Sequence, residues 1–180
     1  MADGTVLVCG LGALGQACLQ RLVRFHVPIR CLDQQPPNWR DPELEAELAG
    51  QLTLGDMRRP HVLEQAGVVS SRAVLLLSSE STVNIEAALQ ARLLNPQAEI
   101  VVRSSSRQAD LGALLEERLP GVAVVDPVLL CAGAIASALR PESIPASFEA
   151  HGQDFQIMEQ SWVDRRLQRP LRAQLARPGD

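Results

Sequence analysis

Three glycines near the N-terminus have the spacing of a phosphate-binding loop. Gly10, Gly12 and Gly15 form the pattern G-x-G-x-x-G in VLVCGLGALGQ, between an apolar run and a helical stretch. Gly10 permits a tight turn, Gly12 lets the backbone approach a pyrophosphate, and Gly15 lets the helix pack closely on the sheet. The helix would then present free N–H groups and the positive end of its dipole to phosphate. The pattern alone is weak, and its support here is the strand–loop–helix context.

An acidic residue follows where a ribose-binding carboxylate is expected. Asp33 ends a second apolar run, 18 residues after Gly15 (33 − 15). A carboxylate at this point accepts hydrogen bonds from the ribose of adenosine. It also repels a 2′-phosphate, so we expect NAD(H) or another adenine nucleotide to bind in preference to NADP.

The elements around these residues alternate between short β-rich runs and helical stretches, which predicts an α/β fold with a parallel sheet covered on both faces. We expect a doubly wound, Rossmann-like sheet of six strands in the order 3-2-1-4-5-6. A flavodoxin-like order is the alternative and would place the ligand at a different crevice. The predicted strands are 5–10, 28–33, 51–56, 72–79, 99–105 and 122–126, and the main predicted helices are 14–24, 42–49, 80–94 and 109–119.

Polar residues at the ends of the other strands extend the candidate site. Asp56 closes the third predicted strand, Ser78 and Ser79 close the fourth, and Arg103 lies late in the fifth. Ligands in this fold lie outside the carboxyl ends of the strands, where Asp56 would line an adenine pocket. The serines would either reach the ligand or cap the next helix, and Arg103 would either reach a phosphate or form a surface ion pair.

The composition argues against several classes of protein. The chain has 180 residues, a net charge of −4, and 17 arginines with no lysine or tyrosine, so we expect no nucleic-acid partner. No signal peptide is evident, and the longest apolar run, 128–139, is too short to cross a bilayer. No metal-binding or catalytic constellation is evident either. Four cysteines in apolar segments, without a C-x-x-C pair, predict buried, reduced thiols: Cys9, Cys18, Cys31 and Cys131.

Several segments, taken in order, resemble RCK domains, the regulators of potassium conductance, also called the Trk-type N-terminal nucleotide-binding domain. They are VLVCGLGALGQ, IRCLD, LTLGDMRRPHVLEQAGV, RAVLLLSSESTVNIEAALQARLLNP, EIVVRSSS and VVDP, and the resemblance extends over about residues 6–139. It implies that the glycine loop and the strand-end acids bind NAD(H), ADP, AMP or ATP. The candidate nucleotide-binding residues are Gly10, Leu11, Gly12, Ala13, Leu14, Gly15, Asp33, Asp56, Met57, Ser78, Ser79 and Arg103.

The resemblance also implies a role and partners. It implies a regulatory domain, not an enzyme, that gates a potassium channel or transporter and assembles as a homodimer or a larger ring. Such a domain would lie in the cytoplasm, at the inner face of the membrane, through its partner or a pore segment. Some ATP-using members carry an arginine inside the glycine loop; here Leu11, Ala13 and Leu14 stand at the variable positions, which favours NAD(H), ADP or AMP.

A small NAD-dependent oxidoreductase, resembling the siroheme-pathway dehydrogenases, is the alternative function. An enzyme of this kind needs a proton donor and a substrate pocket beside the nicotinamide. Without tyrosine or lysine, the Tyr-x-x-x-Lys mechanism of short-chain dehydrogenases is not available. A mechanism that relies on an aspartate stays open.

The pattern changes after Asp126. PVLLCAGAIASAL (127–139) is apolar on nearly every side, so this predicted helix needs a cover beyond its own sheet. In the family that the chain resembles, the helix at this position forms part of the pairing surface. We assign residues 1–140 to the nucleotide-binding domain and 141–180 to a linker and the truncated start of a small C-terminal lobe. Within that lobe, 147–163 predicts a hairpin or a first strand.

Overall fold

A parallel sheet of six strands forms the centre of the first unit of the chain. The computed structural model describes residues 3–105, 109–137, 146–150 and 153–157. The strands of the sheet are β1 (Asp3–Cys9), β2 (Ile29–Asp33), β3 (Leu52–Leu54), β4 (Ser71–Leu76), β5 (Glu99–Arg103) and β6 (Val122–Val125). Their order is β3-β2-β1-β4-β5-β6, with every neighbouring pair parallel. This confirms the predicted doubly wound order and excludes the flavodoxin-like one.

Helices connect the strands and cover the two faces of the sheet, and a last helix follows β6. They are α1 (Ala13–Arg24), α2 (Pro42–Leu48), α3 (Pro60–Gln65), α4 (Ser81–Leu94), α5 (Ala109–Arg118) and α6 (Pro127–Ser137). Asp41 caps α2, because its carboxylate accepts the N–H groups of Glu43 and Leu44. Of the two roles predicted for Ser78 and Ser79, capping of α4 is not observed: its N-cap residue is Glu80, whose side chain makes no capping bond.

Two apolar clusters sandwich the sheet. Alternate residues of β1 point to opposite faces, with Leu7 and Cys9 in one cluster and Val6 and Val8 in the other. All four are almost fully buried. The unbroken apolar runs of the central strands therefore reflect burial on both faces, as a parallel sheet requires.

The cysteines differ in environment. All four are free; Cys9 and Cys31 are buried, Cys18 is half-buried and Cys131 is exposed. Burial raises the pKa of the Cys31 thiol to about 12. It also raises the pKa of Cys9, with smaller contributions from Cys31 and Asp33. The expectation of burial is wrong for Cys131, which is exposed on α6.

The chain divides into two compact units between Leu129 and Leu130, within α6. In the second unit, β7 (Ala146–Ala150) and β8 (Gln153–Ile157) form an antiparallel hairpin. The predicted boundary at residue 140, and residues 158–163 of the predicted hairpin segment, lie outside the described residues. Among the described helices, none has the length and apolar character needed to cross a bilayer.

Candidate functional site

The glycine loop joins β1 to α1 at the carboxyl edge of the sheet. Gly10 has φ +90°, and a Cβ there would lie 2.6 Å from the backbone nitrogen of Ser78. A Cβ on Gly15 would overlap the carbonyl oxygen of Gly10. A Cβ on Gly12 would meet nothing within 4 Å, and its φ of −67° suits any residue. Close contacts therefore explain Gly10 and Gly15, whereas no described contact requires a glycine at position 12.

Asp33 connects the end of β2 to the glycine loop. Its Oδ2 accepts the backbone N–H of Leu11 at 2.5 Å, and its Oδ1 accepts the N–H of Gln34 at 2.6 Å. A carboxylate offers about four lone-pair sites, so these bonds leave room for a ligand hydroxyl. The side chain of Leu11 is buried (1% exposed) in the core beside α1, so Leu11 meets the cleft only through its backbone.

Asp56, after β3, is already engaged in an ion pair. Arg58 donates to it through Nε (3.0 Å to Oδ1) and Nη2 (2.8 Å to Oδ2), and through its backbone N–H. These side-chain and backbone hydrogen bonds from Arg58 lower the pKa of Asp56. Arg58 also approaches Glu86 of α4 at 3.7 Å. Asp56 is therefore a charged group with less free hydrogen-bonding capacity than Asp33.

The ends of β4 and β5 are held together by Asn84 of α4. This residue is fully buried. Its Nδ2 donates to the carbonyl oxygens of Ser78 (2.8 Å) and Arg103 (2.9 Å), and its Oδ1 accepts the N–H of Ser78 at 3.0 Å. The sequence alone did not indicate a role for Asn84, which lies in one of the segments that resemble RCK domains. The burial of Asn84 and its bonds to two strand ends are not visible in any local sequence pattern.

These segments enclose a cleft of about 550 Å³, a size suited to a small-molecule ligand. Of the predicted site residues, all but Leu11 and Gly15 line it; Gly15 packs α1 against the loop instead. The sequence missed Gln34, Gly55, Leu77, Glu80 and Val83, which also line it. Four of these five adjoin a predicted strand-end residue, so including the neighbours on both sides of each strand-end residue would have found these four.

The cleft carries charges of both signs. Asp33, Asp56 and Glu80 supply carboxylates, and Arg103 supplies the cationic group among the lining residues. Arg103 Nη1 lies 3.4 Å from the carbonyl oxygen of Leu77. Within residues 3–105 and 109–137, none of the ion pairs includes Arg103. The surface ion pair predicted as one role for Arg103 is therefore not formed among these residues. The same residues contain no group of three or more acidic, histidine or cysteine side chains arranged to hold a metal ion.

Comparisons with known proteins agree with this architecture. The TrkA-N domain of the inner membrane protein YbaL from Escherichia coli is 22% identical, with a TM-score of 0.63, over 76% of this chain and 97% of that one. The C-terminal domain of Kef from Shewanella denitrificans, in an AMP-bound form, is 22% identical, with a TM-score of 0.60, over 77% and 82%. The GsuK channel bound to NAD is 21% identical, with a TM-score of 0.56, over 81% of this chain and 25% of that one.

A curated relative and a protein family also match in sequence. An uncharacterized protein of Methanothermus fervidus is 23% identical over 107 residues, which make up 57% of this chain but only 16% of the length of that relative. The TrkA-N domain family matches residues 6–125, which include the glycine loop and every strand of the parallel sheet except the first residues of β1. The chain therefore belongs to the TrkA-N domain family.

Proposed function

We propose that the cleft at the carboxyl edge of the sheet binds an adenine nucleotide: NAD(H), ADP, AMP or ATP. The observation that carries the proposal is Gly12, a glycine that faces the cleft and that no contact within the described fold requires. A phosphate bound close to the backbone at this point would explain the glycine, because any side chain there would block it. Solved relatives support the ligand class, since Kef is bound to AMP and GsuK to ADP or NAD.

We propose a partner around the cleft for each part of the nucleotide. No side chain among the described residues caps α1, and its first turn contains no acidic residue. The N–H groups of Ala13 and Leu14 are therefore free to bind phosphate, with the helix dipole in support. Asp33 lies where the ribose hydroxyls would be, and its charge disfavours a 2′-phosphate. Arg103, across the cleft, supplies a cation for a second phosphate.

A thermal-shift panel tests the proposed ligand class. We expect at least one of NAD⁺, NADH, ATP, ADP and AMP to raise the melting temperature, because a ligand that binds only the native state stabilises it by mass action. NADP should raise it less than NAD⁺. If none of these nucleotides moves the melting temperature at millimolar concentration, the chain does not use this cleft as proposed.

The bound nucleotide regulates a membrane protein in this proposal. The solved relatives include parts of a channel, of Kef and of an inner membrane protein. We propose that this chain gates a potassium channel or transporter from the cytoplasmic face of the membrane. Co-reconstitution with the pore subunit tests this role: nucleotide should change the potassium flux, and Gly12→Val should abolish that response without removing the basal flux. A flux that ignores nucleotide would contradict it.

Self-association through α6 is the second part of the proposed function. Four large apolar side chains of this helix are exposed: Val128 (74%), Leu129 (65%), Leu130 (52%) and Ile135 (68%). The sequence carries no charge between Asp126 and Arg140. Burying apolar surface contributes about 25 cal/mol per Å², so a second copy of the same patch is the simplest cover.

Sedimentation separates a dimer from a monomer. We expect the wild-type chain to sediment as a dimer at micromolar concentration and Ile135→Asp to sediment as a folded monomer. Cys131, exposed on the same helix, reports the same contact, because its thiol should react more slowly with maleimide as the protein concentration rises. A wild-type monomer at high micromolar concentration would contradict the dimer.

A nicotinamide turnover assay addresses the enzyme alternative. We propose that the chain is not an enzyme, because the solved relatives named above are domains of membrane proteins. Incubation with NAD⁺ or NADH and candidate substrates, the siroheme precursor among them, should give no change in absorbance at the nicotinamide band. Turnover that depends on Asp33 would favour the oxidoreductase.

A further inference from the structure

Gln16, directly after Gly15 on α1, has a buried side chain (4% exposed). Its Nε2 donates to the carbonyl oxygens of Leu11 (2.8 Å) and Asn38 (3.0 Å), and its Oε1 accepts the backbone N–H of Arg40 at 2.9 Å. One amide therefore binds two segments that are distant in sequence: the glycine loop, and residues 34–41, which we call the ribose-side loop.

The ribose-side loop begins at the cleft and ends at a helix. Its first residue, Gln34, lines the cleft beside Asp33, and its last, Asp41, caps α2. Pro36 and Pro37 remove two backbone donors from it, so few of its own backbone groups are available to fix it. Trp39 packs against the core beside α1. Gln16 supplies two of the loop's hydrogen bonds from a buried position.

The peptide groups on either side of Leu11 connect this loop to the nucleotide site. The N–H of Leu11 binds Asp33 Oδ2, and its C=O binds Gln16. Asp33 Oδ1 binds the N–H of Gln34, at the start of the ribose-side loop. Asp33 Oδ1 also accepts the N–H of Gln35 at 3.4 Å. The direction of the Asp33 carboxylate therefore depends on three backbone N–H groups, one in the glycine loop and two in the ribose-side loop, and Gln16 restrains both segments.

We infer that Gln16 is a positioning residue for ribose recognition: it holds the glycine loop and the ribose-side loop together so that Asp33 faces the ribose hydroxyls. The inference rests on the proposed nucleotide function. Without the Gln16 amide, the carbonyl oxygens of Leu11 and Asn38 lose their donor, and a buried group without a partner favours rearrangement. The Asp33 carboxylate then loses the orientation that suits a ribose.

Gln16→Met tests this role, with Gln20→Met as a matched control. Methionine keeps the length of the side chain and the helix propensity but makes no such hydrogen bonds. Gln20 lies one turn later on α1 and makes one exposed bond to Asp41, the last residue of the same loop. Calorimetry would compare ADP with 2′,3′-dideoxy-ADP, which lacks the hydroxyls that Asp33 would accept.

The expected result is a loss that depends on the ribose. Gln16→Met should weaken ADP about tenfold, the loss of roughly one hydrogen bond to a charged group, and should weaken the dideoxy analogue by less than about twofold. Gln20→Met should leave both affinities within about twofold of wild type. Equal losses for both ligands would mean general damage to the site and would overturn the inference, as would an unchanged ADP affinity.

Trp39 gives a second readout that needs no change at Gln16. The chain has two tryptophans, so a Trp162→Phe background isolates Trp39 in the ribose-side loop. ADP should change the emission of Trp39 at least twice as much as the dideoxy analogue does at saturation. Equal changes would overturn the inference while leaving the nucleotide function intact. A wild-type protein that binds neither ligand would overturn the proposed function itself.

Discussion

The inner and outer sides of the glycine loop have different neighbours. On the inner side, Gly10 lies against the backbone of Ser78, and Gly15 against the carbonyl of Gly10, so neither position has room for a Cβ. On the outer side, Gly12 faces the cleft, and a Cβ there would have open space around it. Within one motif, backbone crowding therefore restricts Gly10 and Gly15 to glycine, whereas it does not restrict Gly12.

This difference separates what the fold needs from what a ligand needs. Packing of α1 on the sheet accounts for Gly10 and Gly15 whether or not a nucleotide ever binds. Nothing among the described contacts accounts for Gly12. Substitutions on the inner side should act on stability and substitutions on the outer side on binding, and the first two predictions below test that separation.

The largest effect should come from the inner side. Gly15→Ala places a methyl group into the carbonyl of Gly10, and because the obstacle is backbone, α1 must shift as a whole. We expect the free energy of unfolding to fall by at least about 3 kcal/mol, measured by urea unfolding followed by circular dichroism. A loss below about 0.5 kcal/mol would mean that the close approach is not a constraint.

A substitution on the outer side should weaken nucleotide binding strongly and change stability little. Gly12→Val leaves the core untouched, and because Gly12 is the N-cap of α1, we expect a cost in stability of at most about 1 kcal/mol. Its side chain should block the phosphates and weaken ADP binding at least about a hundredfold by calorimetry. Gly50→Val is the control, an exposed glycine that is also free of contacts; it should keep full affinity. A Gly12→Val variant that binds like wild type would remove the main support for the site.

Asp33→Ala should act on binding and on cofactor choice together. Losing hydrogen bonds to a charged acceptor should cost about 1.5–3 kcal/mol in binding of NAD⁺ or ADP. Removing the negative charge should also narrow the preference for NAD⁺ over NADP, measured as a ratio of dissociation constants. If the affinities fall but the ratio does not change, Asp33 does not lie near the 2′ position.

The smallest effect should come from Asp56, because Arg58 already occupies its carboxylate. Asp56→Asn should change ADP affinity by less than about threefold. Since the pKa of Asp56 is lowered by its hydrogen bonds from Arg58, its contribution to stability is present above its ordinary pKa of 3.8 and is lost as the pH falls below that value. The difference in melting temperature between wild type and Asp56→Asn should therefore shrink in acid. A difference that grows instead would contradict the assigned pairing.

The sheet could be predicted from sequence because parallel strands buried on both faces, such as β1 and β4, are continuous apolar runs with helices between them. The strand-end residues followed from that order.

Leu11 could not be predicted in the same way. Its side chain is buried in the core and only its backbone reaches the cleft, and the residue type alone does not show which of the two faces a ligand. Gln16 bonds to residues 22 and 24 positions away, and Asn84 bonds to one 19 positions away, so no local pattern predicts these contacts. The burial predicted for Cys131 was wrong because an apolar neighbourhood in sequence does not show which side of a helix is exposed.

Backbone amide chemical shifts on addition of ADP test the central claim most directly. In ¹H–¹⁵N spectra of the wild-type chain, the largest changes should fall on Gly12, Ala13, Leu14 and Gln34, with smaller changes at Ser78 and Ser79. Gly50 and the residues at the amino ends of the strands should stay within the range of a buffer control. Saturable shifts that cluster away from the carboxyl edge, or no shifts at millimolar ADP, NAD⁺ and AMP, would contradict the assignment of this cleft as a nucleotide site.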